Sequence, residues 1–427
     1  MSTPVNALAN RIAEDFAAAT AAGGGRGLDT RRRALRELQA AGLPGTRDEN
    51  WKYASLRGLE RLRFVPAPAS ATATADSALP APLEGFSRQV FVDGRFAAAL
   101  SNPAPAGVFA PLSVSAAPPA AQPMGPDQRF ALLNEAFATD GALVRVPAHA
   151  SARLELIFLA SAEAASGSSY PRLAVEVAEG ATLELIERHL SAAALGSFVN
   201  ASVQLHLARA AQVRHYRLQE LSARSTTFDT LSAALAQDAG YRLHAIGVGA
   251  AASRSTVAVR LAGERAGVRL SQVLLGARQQ VQDCFALFDH AAPRTKSEQL
   301  FRGIAAARAR VAFNGKVVVA RGSTDADSQQ SLRGLLAGAE AEIDVRPQLE
   351  IYTDAVRCSH GATTGKLDEQ MLFYLLSRGL SRDAAQRLLK WAFLEDAVAS
   401  IEVAALRRQV ELSLAAALED ETLKELL

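Results

Sequence analysis

Hydrophobic and polar positions follow three different rhythms along this chain. Between residues 5 and 20 apolar side chains recur at helical spacing (Leu8, Ile12, Phe16), and a second helix is predicted from about Arg31 to Ala41, stopping near Gly42 and Pro44. Gly23-Gly24-Gly25-Arg26-Gly27 lies between them, follows no predicted strand, and reads as a flexible connector. Beyond Trp51 come Leu56, Leu59 and Leu62, and then segments 66–82 and 102–126, whose alanine and proline content marks loops or linkers.

From about residue 143 the rhythm changes to short runs in which apolar and polar residues alternate, as half-buried strands require. Arg153–Phe158, Thr182–Ile186, Ser202–Leu207, Thr256–Leu261, Lys316–Val319 and Ile343–Val345 are examples. Small-residue turns leading into strands recur near 180, 210, 239, 265, 309 and 339, at steps of about 26–30 residues with one longer step between 265 and 309. Such a period, with no long helical pattern between the strands, predicts a parallel β-helix rather than a βαβ sheet. Its end strands would be exposed and open to pairing with another chain.

After residue 366 the helical rhythm returns. Leu367, Met371, Phe373, Tyr374 and Leu375 fall on or beside one face, and Gly379 supplies a stop. Ser381 can cap a second helix carrying Leu388, Leu389 and Phe393, and a third is predicted from about Ala397 with Ile401, Leu406, Val410 and Leu414.

Composition excludes more than it proposes. The 46 basic and 44 acidic side chains leave a net charge of +2, which gives no nucleic-acid footprint. Two cysteines, Cys284 and Cys358, make no disulfide framework. No run approaches the roughly 18–20 apolar residues of a membrane span, and the N-terminus has no signal-peptide core, so the expectation is a cytoplasmic protein bound to neither membrane nor nucleic acid.

Candidate chemistry concentrates at Cys358-Ser359-His360-Gly361-Ala362-Thr363. Residues i and i+2 of a strand project to one side, with Cα atoms roughly 6–7 Å apart, and thiolate and imidazole both suit iron, copper or zinc. The alternative is a buried thiol beside a surface imidazole. Gly361–Leu367 fails as a phosphate loop: only three residues separate Gly361 from Gly365, and Leu367 stands where Ser or Thr is needed. It reads as a turn entering a helix. His149, His189, His206, His215, His244 and His290 are scattered and read as structural or solvated, Cys284 as a core residue, and Asp325 with Asp327 as a solvated turn. An iron–sulfur cluster needs about four protein ligands. This chain has too few cysteines to hold one alone, so the shortage predicts a site at Cys358 and His360 shared between subunits, or no site at all.

Residues 294–395 resemble the SufB/SufD family of iron–sulfur cluster assembly proteins. The resemblance rests on Arg294–Gly303 (RTKSEQLFRG), Phe313–Val319 (FNGKVVV), Pro347–Ile351 (PQLEI), Cys358–Gly365 (CSHGATTG) and Leu372–Gly379 (LFYLLSRG), in that order and spacing. Glu49-Asn50-Trp51-Lys52 is similar to the family's start. The hexad looks like the SufD branch. SufB carries a glutamate-containing version, additional cysteines and a longer chain. The resemblance implies a mainly β fold, a right-handed parallel β-helix over 143–365, flanked by an N-terminal helical region with linkers (1–142) and a C-terminal helical domain (366–427). It implies a non-catalytic scaffold in complex with SufB, through the β-helix, and with two copies of the ATPase SufC, docked on the C-terminal helices. A transient iron–sulfur cluster would form at the SufB interface, with His360 and, less directly, Cys358 as this chain's metal-holding residues and the other ligands on the partner. The chain itself would bind no nucleotide, and it would self-associate through the same edge when SufB is absent. Two further readings are a SufB-like paralogue that nucleates the cluster itself and a β-helix enzyme using Cys358 and His360 as nucleophile and base. Against the enzyme, no oxyanion donors are readable and side chains at i and i+2 do not converge.

Overall fold

The computed structural model describes residues 4–21, 27–45, 48–54, 56–68, 78–112, 127–162 and 166–418. Residues 23–26 of the glycine-rich connector, and residues 69–77 and 113–126 of the Ala/Pro-rich stretches, lie outside them. Two helices, α1 (Pro4–Thr20) and α2 (Leu28–Ala41), come first. Strands β1 (Ser87–Val92), β2 (Arg95–Phe96) and β3 (Phe109–Pro111) precede a third helix, α3 (Arg129–Phe137).

Among the described residues sixteen strands then follow without an intervening helix. They are β4 (Ala142–Val146), β5 (Ser151–Ala160), β6 (Arg172–Val177), β7 (Thr182–Ser191), β8 (Phe198–Leu207), β9 (Gln212–Glu220), β10 (Thr226–Leu235) and β11 (Gly240–Gly247). The run continues through β12 (Ala252–Leu261), β13 (Gly267–Gly276), β14 (Val281–His290), β15 (Lys296–Ala305), β16 (Arg310–Val319), β17 (Ala326–Leu336), β18 (Glu342–Ile351) and β19 (Val356–Lys366). Helices α4 (Glu369–Ser377), α5 (Arg382–Val398) and α6 (Ala404–Ala417) close the described chain.

Odd-numbered strands from β5 to β19 form one sheet with β1 and β2, and even-numbered strands from β4 to β18 form the other with β3. Every strand from β5 on pairs in parallel with the strand two places away, so each coil of a parallel β-solenoid gives one strand to each sheet. Alternation explains why: in β17, Ala326, Ser328, Gln330, Leu332 and Gly334 are buried, whereas the residues between them are exposed or half-exposed. The inward residues of both sheets fill one continuous core, with Phe301 and Phe313 stacked across it at 4.7 Å.

The repeat is real, but its phase differs from the sequence expectation. His149, Gly180, Ala210, Asp238, Arg265, Arg294 and Asp325 all take positive φ and stand at one corner of successive coils. Ala250, Arg278 and Ala307 do the same at the other corner. The long step between 265 and 309 therefore hides a corner at Arg294, and the turns near 309 and 339 lead into β16 and β18 of the opposite sheet. The corner needs a left-handed backbone, yet His, Ala, Asp and Arg adopt it here as well as Gly, so no residue type marks it.

Each sheet's outer face is covered by one set of helices. The α1–α3 region packs Trp51, Phe64 and Phe130 on Phe198 and Phe228 of the even-strand sheet. Helices α5 and α6 pack Leu394, Leu406, Val410 and Leu414 on Ile186, Leu218, Ile246 and Val273 of the other. The third C-terminal helix, expected from about Ala397, is α6 with the expected Leu406, Val410 and Leu414, but it begins at Ala404: α5 runs through Ala397, and Ile401 is a buried residue of the connector. At the solenoid's beginning the antiparallel strands β2 and β3 are the outermost members of the two sheets. At its other end β18 and β19 each pair on one side only among the described residues.

Candidate functional site

The open end is where the candidate residues stand. Cys358 and His360 lie on β19, in register with Ser328 and Gln330 of β17, both of which are buried in the core. In a parallel pair, register partners point to the same side, so Cys358 and His360 both sit on the core-facing side of the last strand. Cys358 is half-buried and packs against the end of the core, and His360 is exposed because, among the described residues, no further coil lies above it. Gly361–Lys366, expected as a turn, is the second half of this strand, with Gly361 opposite Ser331 and Gly365 opposite Leu335. Cross-strand pairing over the whole length overrides the weak strand preference of its two glycines.

Partial burial raises the Cys358 thiol above its ordinary value, and the Asp327 carboxylate adds to this, against a backbone hydrogen bond at Ser328. Below Cys358 runs a chain of buried hydroxyls. Ser328 and Ser297 are 2.9 Å apart, Ser297 lies 2.8 Å from His290 Nε2, and Thr295 lies 2.8 Å from His290 Nδ1. Burial holds the His290 imidazole down to about 4, so it is neutral in this chain of contacts.

The other sequence candidates stay apart from this end. Cys284 is fully buried on β14, its thiol 3.7 Å from Gln272 Oε1 and pushed well up by burial. His149 and Asp325 are coil corners, and His206 is half-buried on an outer strand position. His189 and His215, read as isolated, both reach one buried carboxylate: Glu187 Oε1 is 2.5 Å from His189 Nε2, and Glu187 Oε2 is 3.0 Å from His215 Nε2. Arg217 donates to the same carboxylate at 2.9 Å and pairs with Asp229 at 2.9 Å. The signal was the i, i+2 parity of Leu183, Leu185, Glu187 and His189, which puts the polar pair on the core side.

Among the described residues no group of three or more His, Cys, Asp and Glu side chains is placed to hold a metal ion. No helix among them is long and apolar enough to cross a membrane. Cys358 and His360 are thus two donors on one side of an edge strand, a donor set that suits iron but is short of a full coordination sphere. Two residues beyond that strand, α4 buries Leu372 but exposes Met371, Phe373 (72%) and Tyr374, and Leu388 of α5 is exposed as well. A surface with this many large apolar groups is typical of a protein-binding face.

Fold and site together define a parallel β-solenoid whose open edge carries a Cys/His pair beside an exposed apolar helical face. The family model for the SufBD core domain of the SUF system for FeS cluster assembly matches residues 158–393. The chain is 31% identical to the iron–sulfur cluster assembly protein SufD of Escherichia coli over 384 residues, 88% of this chain and 89% of that one. It is 30% identical to an iron–sulfur cluster assembly SufBD family protein of Synechocystis, over 86% of this chain and 85% of that one. A chloroplastic protein of Arabidopsis thaliana, ABCI7, is 29% identical over 53% of this chain and 48% of its own. The chain belongs to the SufBD family of the iron–sulfur cluster assembly system.

Proposed function

We propose that this chain is a non-catalytic scaffold subunit that supplies half of a cluster-forming site and receives the other half from a SufB-like paralogue. The observation that carries this reading is the position of Cys358 and His360 on the core side of β19, the last strand of its sheet. A second solenoid meeting that end would bring its own donors to the two already there. The exposed apolar face of α4, with Leu388 of α5, is the docking site for a SufC-like ATPase. ATP-driven closure of that ATPase would reach the site through the C-terminal helices. Iron and sulfide are then cargo at the interface, not a resident cofactor, and this chain binds no nucleotide.

The test is His360→Ala in the complex co-expressed with the paralogue and the ATPase. Cluster yield should fall while the three subunits still co-purify in unchanged proportion. A normal yield would remove His360 from the site. Anaerobic reconstitution of the isolated chain with iron and sulfide checks the division of labour. It should give no stable stoichiometric cluster, and finding one would transfer nucleation to this chain.

A further inference from the structure

The core position beneath His360 changes character as the open end approaches. At one register position, successive coils carry Leu243, Leu270, Gln299, Gln330 and His360. Two apolar residues give way to two glutamines, one fully buried and the other 4% exposed. Each buried amide atom without a partner costs about 1–3 kcal/mol, so such a pair needs a physical reason.

The amide of Gln330 is held in one orientation. Its Nε2 donates to Gln299 Oε1 at 2.9 Å and to the Gly315 carbonyl of the opposite sheet at 2.9 Å. Gly315 makes room for the pair, because a Cβ there would lie 2.9 Å from Gln330 Nε2 and closer still to Gln299 Oε1. With both N–H groups of Gln330 engaged by the coil below and the facing sheet, its Oε1 is a buried acceptor without a partner. His360, one strand spacing of about 4.8 Å further out, is the register neighbour on the remaining side. No hydrogen bond reaches Gln330 Oε1 in this structure, from His360 or from elsewhere; a ring N–H is a donor of the kind this oxygen lacks.

We propose that Gln330 is the positioning residue for His360: its Oε1 accepts one ring N–H, fixing the imidazole tautomer and presenting the other nitrogen's lone pair to an iron ion at the open end. Gln299 and Gly315 act one step further back by holding the Gln330 amide. The inference rests on the reading of His360 as an iron-holding residue. A histidine ligand is commonly oriented by just such an outer partner.

The test uses the full chain labelled with 15N-histidine. Two-bond proton–nitrogen correlations report each ring's tautomer, and His360→Ala identifies the His360 signals among the seven histidines. His360 should be a single neutral tautomer in the native chain and a mixture in Gln330→Met, with the other rings unchanged. A mixture in the native chain would overturn the proposal, as would a tautomer indifferent to Gln330→Met. In the assembled complex, Gln330→Met should weaken iron retention about tenfold. The two readings fail separately. If His360→Ala forms clusters normally while the native His360 tautomer is locked by Gln330, the positioning contact stands and the function proposed for His360 falls.

Discussion

Glu187 is shut off from water and shared among Arg217, His189 and His215, with Arg217 bridging on to Asp229. Burial opposes its charge, but Arg217 and the two imidazoles outweigh that and hold the carboxyl well below its usual range. Glu187→Leu leaves the buried Arg217 guanidinium with Asp229 alone and takes the shared carboxylate from His189 and His215; it should cost about 3–5 kcal/mol, read as a lowered unfolding midpoint. Acid should act on these buried groups and on two further imidazoles in two stages. His244 and His290 are held near 4 by burial, so between the ordinary value near 6.5 and 4 the unfolded chain binds protons that the folded chain does not. Stability therefore falls as pH drops through that window, by on the order of 3 kcal/mol for each group. The contribution of Glu187, with its depressed value, is present above about 4.5 and is lost only as pH falls further. Thermal midpoints between pH 7 and 4 should decline, and His290→Gln should flatten the slope. An unchanged slope in that variant would mean that His290 is not a source of the acid sensitivity. The thiols divide in the same way. A small disulfide reagent should modify one cysteine per native chain, half-buried Cys358, and reach Cys284 only after unfolding.

At the scale of elements, close stacking of coils decides what each position tolerates. A Cβ on Gly263 would sit 1.9 Å from the Gln237 backbone nitrogen and 2.3 Å from the Ala236 carbonyl carbon, so Gly263→Ala must push two corners apart. A loss of about 1–3 kcal/mol is expected there. On β19 a Cβ at Gly361 meets nothing within 4 Å, and Gly361→Ala should leave the unfolding midpoint level or slightly higher. A comparable loss at both positions would contradict the difference in packing. This packing also explains which elements were readable beforehand. Alternation in Arg153–Phe158 or Thr256–Leu261 announces a strand with an apolar side, and the Cys358–His360 pair was visible because i and i+2 share a face. Ser297-Glu298-Gln299 and Ser328-Gln329-Gln330 are polar at every position, so nothing in their residue types says that Gln299 and Gln330 point inward. That parity comes only from register with neighbouring coils. Leu372–Leu376 is apolar almost all the way round a helix, and its pattern does not reveal that Leu372 alone is buried while Phe373 and Tyr374 face out. The two glycines of β19 suggested a turn because a strand's partner is not local information.

At the scale of the whole molecule, the proposed site and the proposed ATPase face are adjacent. Strand β19 ends at Lys366 and α4 begins at Glu369, with Asp368 capping the helix through bonds from the Gln370 and Met371 amides. Helix α5 is anchored on the solenoid by buried Leu394, Ala397 and Val398 and by the pair between Asp396 and Arg302 at 2.9 Å. Helix α4 has only Leu372 fully buried, so it is the less anchored of the two. A partner pulling on α4 therefore acts on β19 through a connector of two residues, and the stacked coils behind β19 resist the pull. Four flexible residues, Gly-Gly-Ser-Gly, inserted between Leu367 and Asp368 would leave the cap, both docking faces and the Cys358–His360 spacing unchanged. The complex should then co-purify and hydrolyse ATP as before, while cluster yield falls toward that of His360→Ala. Because both faces are preserved, a full yield from the lengthened chain would show that motion of α4 does not reach the site through this connector. ATPase coupling would then have to travel through the α5–α6 contact with the odd-strand sheet.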